Sequence, residues 1–161
     1  MAGFSGLGTI LRMSSAGGTI SSTSTAAGMA DLTNISGPSM SAEEIDVSSY
    51  DSAGGYREFV AGFLDAGEIS LEGNLTAAGG AVDLVDAFND GLERQFHAVF
   101  PATGTSTSAA LVNASGGYLR WVLEGTVTGV ETAAPYDDKL SFSATVRISG
   151  EPFLVASSSS G

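Results

Sequence analysis

The chain has 161 residues and no cysteine, and its eighteen Asp/Glu against six Lys/Arg leave a net charge of −12. One domain with a real core is the simplest reading of that length, and the missing thiols exclude a disulfide framework and a thiol-ligated metal. Such acidity argues against nucleic-acid affinity, which needs cations on the phosphates, though not against nucleic acid passing nearby, and it equally serves to keep a small-residue surface soluble.

Glycine is abundant at 22 residues and charged residues make up only 15%. Small residues, β-branched runs and Gly-rich turns favour a β-dominated fold. The first residues, Met1-Ala2-Gly3-Phe4-Ser5-Gly6-Leu7-Gly8, lack the basic region of a signal peptide, and no apolar run has the length of a membrane span. The chain is expected to be made in a cytoplasm and to have no membrane partner.

Leu7–Met13 is apolar and is read as a first strand. Ser14–Ala27 is almost wholly Ser, Thr, Ala and Gly, so residues 1 to about 27 are expected to form a flexible N-terminal segment. Met29–Ile35 alternates loosely and ends in the turn Ser36-Gly37-Pro38-Ser39. Glu43–Ser48 is read as a short strand with Ile45 and Val47 on one face. Tyr50–Asp65 is then read as a long inter-strand loop. It has a Gly54-Gly55 tip, apolar residues from Tyr56 to Leu64 and no local periodicity, so it is expected to take one shape only on a partner.

Glu68–Leu75 alternates with period two, the mark of a half-buried strand. Gly79–Leu92 is the one helix, with an expected core stripe of Val82, Val85, Phe88 and Leu92 widened by Ala81 and Leu84. Gln95–Phe100 is read as a strand, and Thr103–Ser108 as a loop. Tyr118–Val130 should turn Leu119, Trp121, Leu123, Gly125 and Val127 inward, and Arg120, Glu124, Thr126 and Thr128 outward. Lys139–Ser149 should bury Leu140, Phe142, Ala144, Val146 and Ile148, and should form an antiparallel hairpin with the preceding strand. Pro152–Ala156 is read as an added edge strand, and 157–161 as a disordered tail. The fold class is therefore a β-dominated α+β fold, an antiparallel β-sandwich or barrel with one packed α-helix and a long inter-strand loop.

Chemistry is scarce. The lone His97 takes an outward strand position and is read as solvated or satisfied at a sheet edge, with no orienting partner or nucleophile for catalysis. Asp83, Asp86 and Asp90 lack the spacing of a calcium loop and are read as a solvated helix face. Gly3, Gly6 and Gly8 lack the Gly-Lys-Ser/Thr of a phosphate loop, and Trp121 reads as core. No catalytic, cofactor or metal residue is assigned. Arg57-Glu58, a charged pair in an otherwise apolar loop, reads as register-setting at a subunit interface.

A family resemblance rests on one stretch. Glu43-Glu44-Ile45-Asp46-Val47 is followed by Asp51-Ser52-Ala53-Gly54-Gly55, Tyr56, Arg57-Glu58-Phe59, Asp65-Ala66-Gly67-Glu68 and Glu72-Gly73-Asn74. This order, preceded by Ile35-Ser36-Gly37-Pro38, resembles the major tail tube proteins of long-tailed, siphovirus-type bacteriophages. The match covers about a quarter of the chain, and position 56 is Tyr where Trp is more usual. The resemblance implies a structural virion protein, with one tail-tube domain over 1–161, six copies per ring and rings stacked into a hollow tube. It assigns Tyr50, Asp51, Gly54, Gly55, Tyr56, Arg57, Glu58, Phe59, Phe63 and Asp65 to contacts between subunits. Glu68, Glu72, Arg120 and Glu124 become candidate lumen residues. Expected partners are further copies of the chain, the tape measure, terminator and tip proteins, and transiting DNA held without tight binding; no cofactor is implied. Two alternatives remain: a carbohydrate- or receptor-binding virion module, and a tube subunit of a contractile or secretion apparatus.

Overall fold

The two sequence segments with the clearest alternation form the longest strands. A computed structural model describes residues 9–20, 32–51, 53–76, 80–101 and 118–157. In it the strands are β1 (Ile10–Met13), β2 (Leu32–Ser36), β3 (Ser41–Asp46), β4 (Phe59–Asp65), β5 (Glu68–Asn74), β6 (Arg94–Pro101), β7 (Tyr118–Ala133) and β8 (Ser141–Ser157), and the helix is α1 (Gly80–Asp90). β7 and β8 pair antiparallel along their whole length, from Tyr118↔Ser157 to Ala133↔Ser141. The expected edge strand at Pro152–Ala156 is instead the far end of β8. The chain passes Gly150 with a φ of 80° and keeps pairing with β7. Leu140, expected inside, precedes β8 and is exposed.

The main sheet has the order β1-β6-β7-β8-β5-β2, all neighbours antiparallel, and curls into a half-barrel around the helix. A second sheet holds only β3 and β4. The fold is thus the β-dominated one expected, with one packed helix. The core sits in the curl. It is built from Ile69 and Leu71 of β5, Phe96 and Ala98 of β6, Leu123 and Val127 of β7, and Phe142, Ala144, Val146 and Ile148 of β8. Trp121 packs at its margin. No helix among the described residues is long and apolar enough to cross a membrane.

The helix is rotated from the expected orientation. Ala81, Leu84 and Ala87 are buried at 5%, 0% and 0% exposure, while Val82, Val85, Phe88 and Leu92 stay 39–56% exposed. The apolar surface of α1 is wider than one stripe, and periodicity alone does not choose its centre. The alanines and Gly80 present little bulk, so that side fits deep inside the curl. Around Leu84 they bring the helix close to the sheet, and the bulkier residues remain outside.

The expected flexible stretches at 1–8 and 21–27, the start of the Met29–Ile35 strand, the Thr103–Ser108 loop and residues 158–161 of the tail lie outside the described residues.

Candidate functional site

Two surfaces stand out, an arm and a wall, and one corner joins them. β2 pairs with β5 and β3 pairs with β4, so a single long antiparallel ladder is bent in the middle. The bend needs two strands to pass closely. A Cβ on Gly67 would lie 2.2 Å from the carbonyl oxygen of Ser39, and Gly67 also has a φ of +73°, so only glycine fits there. Below the bend the ladder belongs to the main sheet. Above it, the ladder is a free two-stranded arm.

The arm replaces the long loop expected over Tyr50–Asp65. Its second strand, β4, carries Phe-Val-Ala-Gly-Phe-Leu, which has no period-two pattern because both faces are apolar. That is why alternation did not reveal it. Val47 N–H donates to the Glu58 carbonyl at 2.9 Å, and Ser48 Oγ accepts from Glu58 N–H at 2.8 Å, extending the ladder past Asp46. A 3-10 turn, Ala53–Gly55, makes the tip, where Gly54 and Gly55 have φ of 69° and 74°. Tyr50, Asp51, Tyr56, Arg57, Glu58, Phe59 and Phe63 are all exposed along it. Ile45, Val60 and Leu64 are exposed too. The arm therefore gathers the residues assigned to subunit contacts on one projecting element.

Asp65 fastens its base. Its carboxylate accepts from Gly67 N–H at 2.8 Å and from Arg147 Nη2 at 2.6 Å. These contacts, the backbone N–H first, hold the Asp65 carboxyl below its ordinary range. Asp65 and Arg147 are 82 residues apart, so no sequence spacing announces the pair.

The wall is the outward face of β5, β8 and β7. Register aligns Glu68 with Arg147 and Thr126, and Glu72 with Ser143 and Glu131. Glu124 lies opposite Ser149. The three outward strand faces of the sequence are thus parts of one surface. Its acids are Glu68, Glu72, Glu124 and Glu131; of its cations, Arg147 is turned to Asp65 and Lys139 lines the same hollow as Glu72 and Glu131. Asn34 Nδ2 donates to Glu72 Oε2 at 3.3 Å. Glu131 was missed because a bulge between Val127 and Gly129 breaks the alternation just before it. Arg120 lies on the same side of β7 but farther along, half-buried and in register with Val99 and Val155.

His97 is not solvated. It faces outward on β6, but the chain after β1 folds over that part of the sheet. Ser14 N–H donates to the Gln95 carbonyl at 2.9 Å, Gly17 N–H to the Glu93 carbonyl at 2.9 Å and Ile20 N–H to Gln95 Oε1 at 2.7 Å. Strand alternation assigns a face; it does not say whether that face is covered. His97 is 4% exposed, and its Nε2 lies 3.2 Å from Gln95 Oε1, an acceptor that requires the proton on Nε2. Burial first, then the charges of Arg120 and Arg12, push its pKa down to about 4.

The unfolded chain binds a proton at His97 below about pH 6.5, whereas the folded chain does so only below about 4. Stability is therefore lost as pH falls from 6.5 to about 4, by up to about 3 kcal/mol. Urea titrations of the wild type across that window should show a steeper loss than those of His97→Gln. Equal slopes would contradict a neutral buried imidazole. Among the described residues no three His, Asp or Glu side chains gather in a way that could hold a metal ion.

The family model described as "Lambda phage tail tube protein, TTP" matches residues 18–155. The sequence matched no curated protein. Among solved structures, the tail of an empty gene transfer agent particle, computed with C6 symmetry, aligns with a TM-score of 0.63 at 19% identity, covering 94% of this chain and 98% of that one. The SPP1 tail tube aligns with a TM-score of 0.63 at 11% identity, covering 97% and 81%. A chain of an extracellular contractile injection system, from a structure of its sheath/tube terminator, gives a TM-score of 0.63 at 11% identity over 96% and 98%. At these identities the structural likenesses establish the fold.

Proposed function

Because the chain belongs to the lambda phage tail tube protein family, and so is a structural protein of the virion tail, we propose that it acts as a single domain whose copies close into rings of six and stack into a hollow tube. The observation that carries this reading is the arm. Two-stranded ladders are marginal in water on their own, and this one exposes Phe59, Phe63 and Leu64 at 53%, 88% and 81%. Apolar surface of that extent on a projecting element finds cover in a neighbouring subunit. The C6 symmetry of the gene transfer agent tail supports the sixfold ring.

The wall supports a passage role. Glu68, Glu72, Glu124 and Glu131 would present carboxylates to a channel, and phosphates near them would be repelled. At physiological salt that repulsion reaches only about 8 Å, so it acts close to contact and keeps DNA from sticking. Further tail proteins would cap the tube and set its length. The equal likeness to the injection-system chain favours a second reading, a tube inside a contractile sheath, which differs only in what surrounds the tube.

Sedimentation velocity of the purified chain over a rising concentration series tests the reading. The sedimentation coefficient should climb from that of a single chain to that of rings and long assemblies. One species of constant size up to the solubility limit would contradict it.

A further inference from the structure

The arm is a long lever on a short corner. β4 runs seven residues, about 23 Å at an extended rise, so a tilt of about 10° where it joins the sheet moves its far end by about 4 Å. Apolar side chains stay in contact only within about 4.5 Å between heavy atoms. The angle of the arm therefore decides whether Phe59 and Phe63 meet a neighbour or miss it.

β8 holds the corner through two consecutive residues. Ile148 N–H donates to the Gly67 carbonyl at 3.0 Å. Arg147 Nη2 donates to Asp65 Oδ2 at 2.6 Å. The other carboxylate oxygen of Asp65, Oδ1, accepts from Gly67 N–H at 2.8 Å and closes the turn between β4 and β5. The opposite strand crosses at contact distance, where a Cβ on Gly37 would lie 2.6 Å from the Glu68 carbonyl oxygen. Crowded glycines and one backbone bond make a pivot, and a pivot alone can rock. A second contact beside it, at Arg147, resists the rocking. Among the described residues Arg147–Asp65 is the one ion pair that joins the arm to the main sheet, since Arg94–Asp90 lies at the end of α1. Both partners are about half exposed, and an exposed pair adds little to folding stability. What it can govern is direction.

We propose that Asp65 is a positioning residue for assembly: bound to Gly67 and Arg147, it fixes the angle of the arm, so that the arm reaches a second copy already aimed. The inference rests on the tube reading for the use of the arm, while the angle is a property of the single chain. A preaimed arm loses little freedom when it docks, which is how rigid presentation favours association. Unlike Phe59 and Phe63, Asp65 acts through its own sheet rather than by touching the neighbour.

The chain has no cysteine, so introduced thiols can carry spin labels, Tyr56→Cys near the arm tip and Asp86→Cys on the exposed side of α1. Pulsed electron spin resonance of this labelled chain, below the assembly concentration, should give one narrow distance. Adding Arg147→Ala should broaden the distribution about twofold. Asp65→Asn should do the same, because it keeps an oxygen for Gly67 N–H but removes the charge that holds Arg147. The circular dichroism spectrum and melting curve should not change. Arg147→Lys, which keeps a cation, should leave the distance narrow. In unlabelled protein Asp65→Asn and Arg147→Ala should each slow tube growth about tenfold, because every addition must first order the arm. A distribution as narrow in Asp65→Asn and Arg147→Ala as in the unsubstituted labelled chain would overturn the proposal, and so would tube growth at the normal rate. Failure of the unmodified chain to form tubes would overturn the tube reading, and the distances, measured on single chains, would still decide whether Asp65 sets the angle.

Discussion

Phe59→Asp is expected to abolish tube formation while leaving the isolated chain folded. Phe59 is on the free arm, 53% exposed and outside the core. Its cross-strand partner is Asp46, so the new carboxylate meets a like charge. Asp46 is held ionised by hydrogen bonds from Ser48, which lower its pKa. A like pair directly opposite costs about 0.2–1 kcal/mol in a ladder, too little to unfold the main sheet. At a buried subunit contact the same carboxylate has no partner, and the cost rises to several kcal/mol per contact. Each 1.4 kcal/mol is tenfold in an association constant, and the loss recurs at every subunit. Electron microscopy should show no tubes at concentrations where the wild type assembles, with an unchanged circular dichroism spectrum and melting curve. Normal tubes, or an unfolded chain, would contradict this placement of the arm.

Phe96→Ala is expected to do the reverse and destabilise the chain itself. Phe96 is 1% exposed on β6, between Met13 of β1 and Leu123 of β7. Removing its ring leaves a cavity between two strands that the ladder prevents from closing. Such changes cost about 3–5 kcal/mol, a large share of the total stability of a small domain. Urea unfolding below the assembly concentration should report that loss. Phe63→Ala, at 88% exposure, should stay within about 0.5 kcal/mol in the same assay. A loss below about 1 kcal/mol for Phe96→Ala would contradict the core assignment.

These variants separate what the sequence discloses from what it conceals. β5 and β8 were legible because Ile69, Leu71, Phe142, Ala144, Val146 and Ile148 alternate strictly with polar residues. That alternation exists because one face of each strand is buried in this chain and the other is not. The arm breaks the rule. Its Phe59-Val60-Ala61-Gly62-Phe63-Leu64 strand has no polar face, since neither side is covered by this chain. A strand left bare on both faces by the core of its own chain has the pattern of a loop. The helix is a milder case of the same effect. Val82, Val85 and Phe88 are larger than Ala81 and Ala87 and draw the expected core stripe toward themselves, yet the small side fits the curl. The burial of His97 was hidden for a different reason, because the cover over its outward face comes from residues 14–20, far away in sequence. The Asp65–Arg147 anchor was invisible for the same cause, although both residues were visible as charges. Glu131 needed the bulge before it, and bulges have no sequence mark as clear as alternation.

Helical reconstruction by cryo-electron microscopy of tubes grown from the purified chain tests the central claim most directly. Hollow tubes of stacked sixfold rings are expected, with arms joining neighbouring subunits and Glu68, Glu72 and Glu124 lining the channel. Solid fibres, rings without a channel, or a channel lined by Lys and Arg with the arms free in solvent would contradict it.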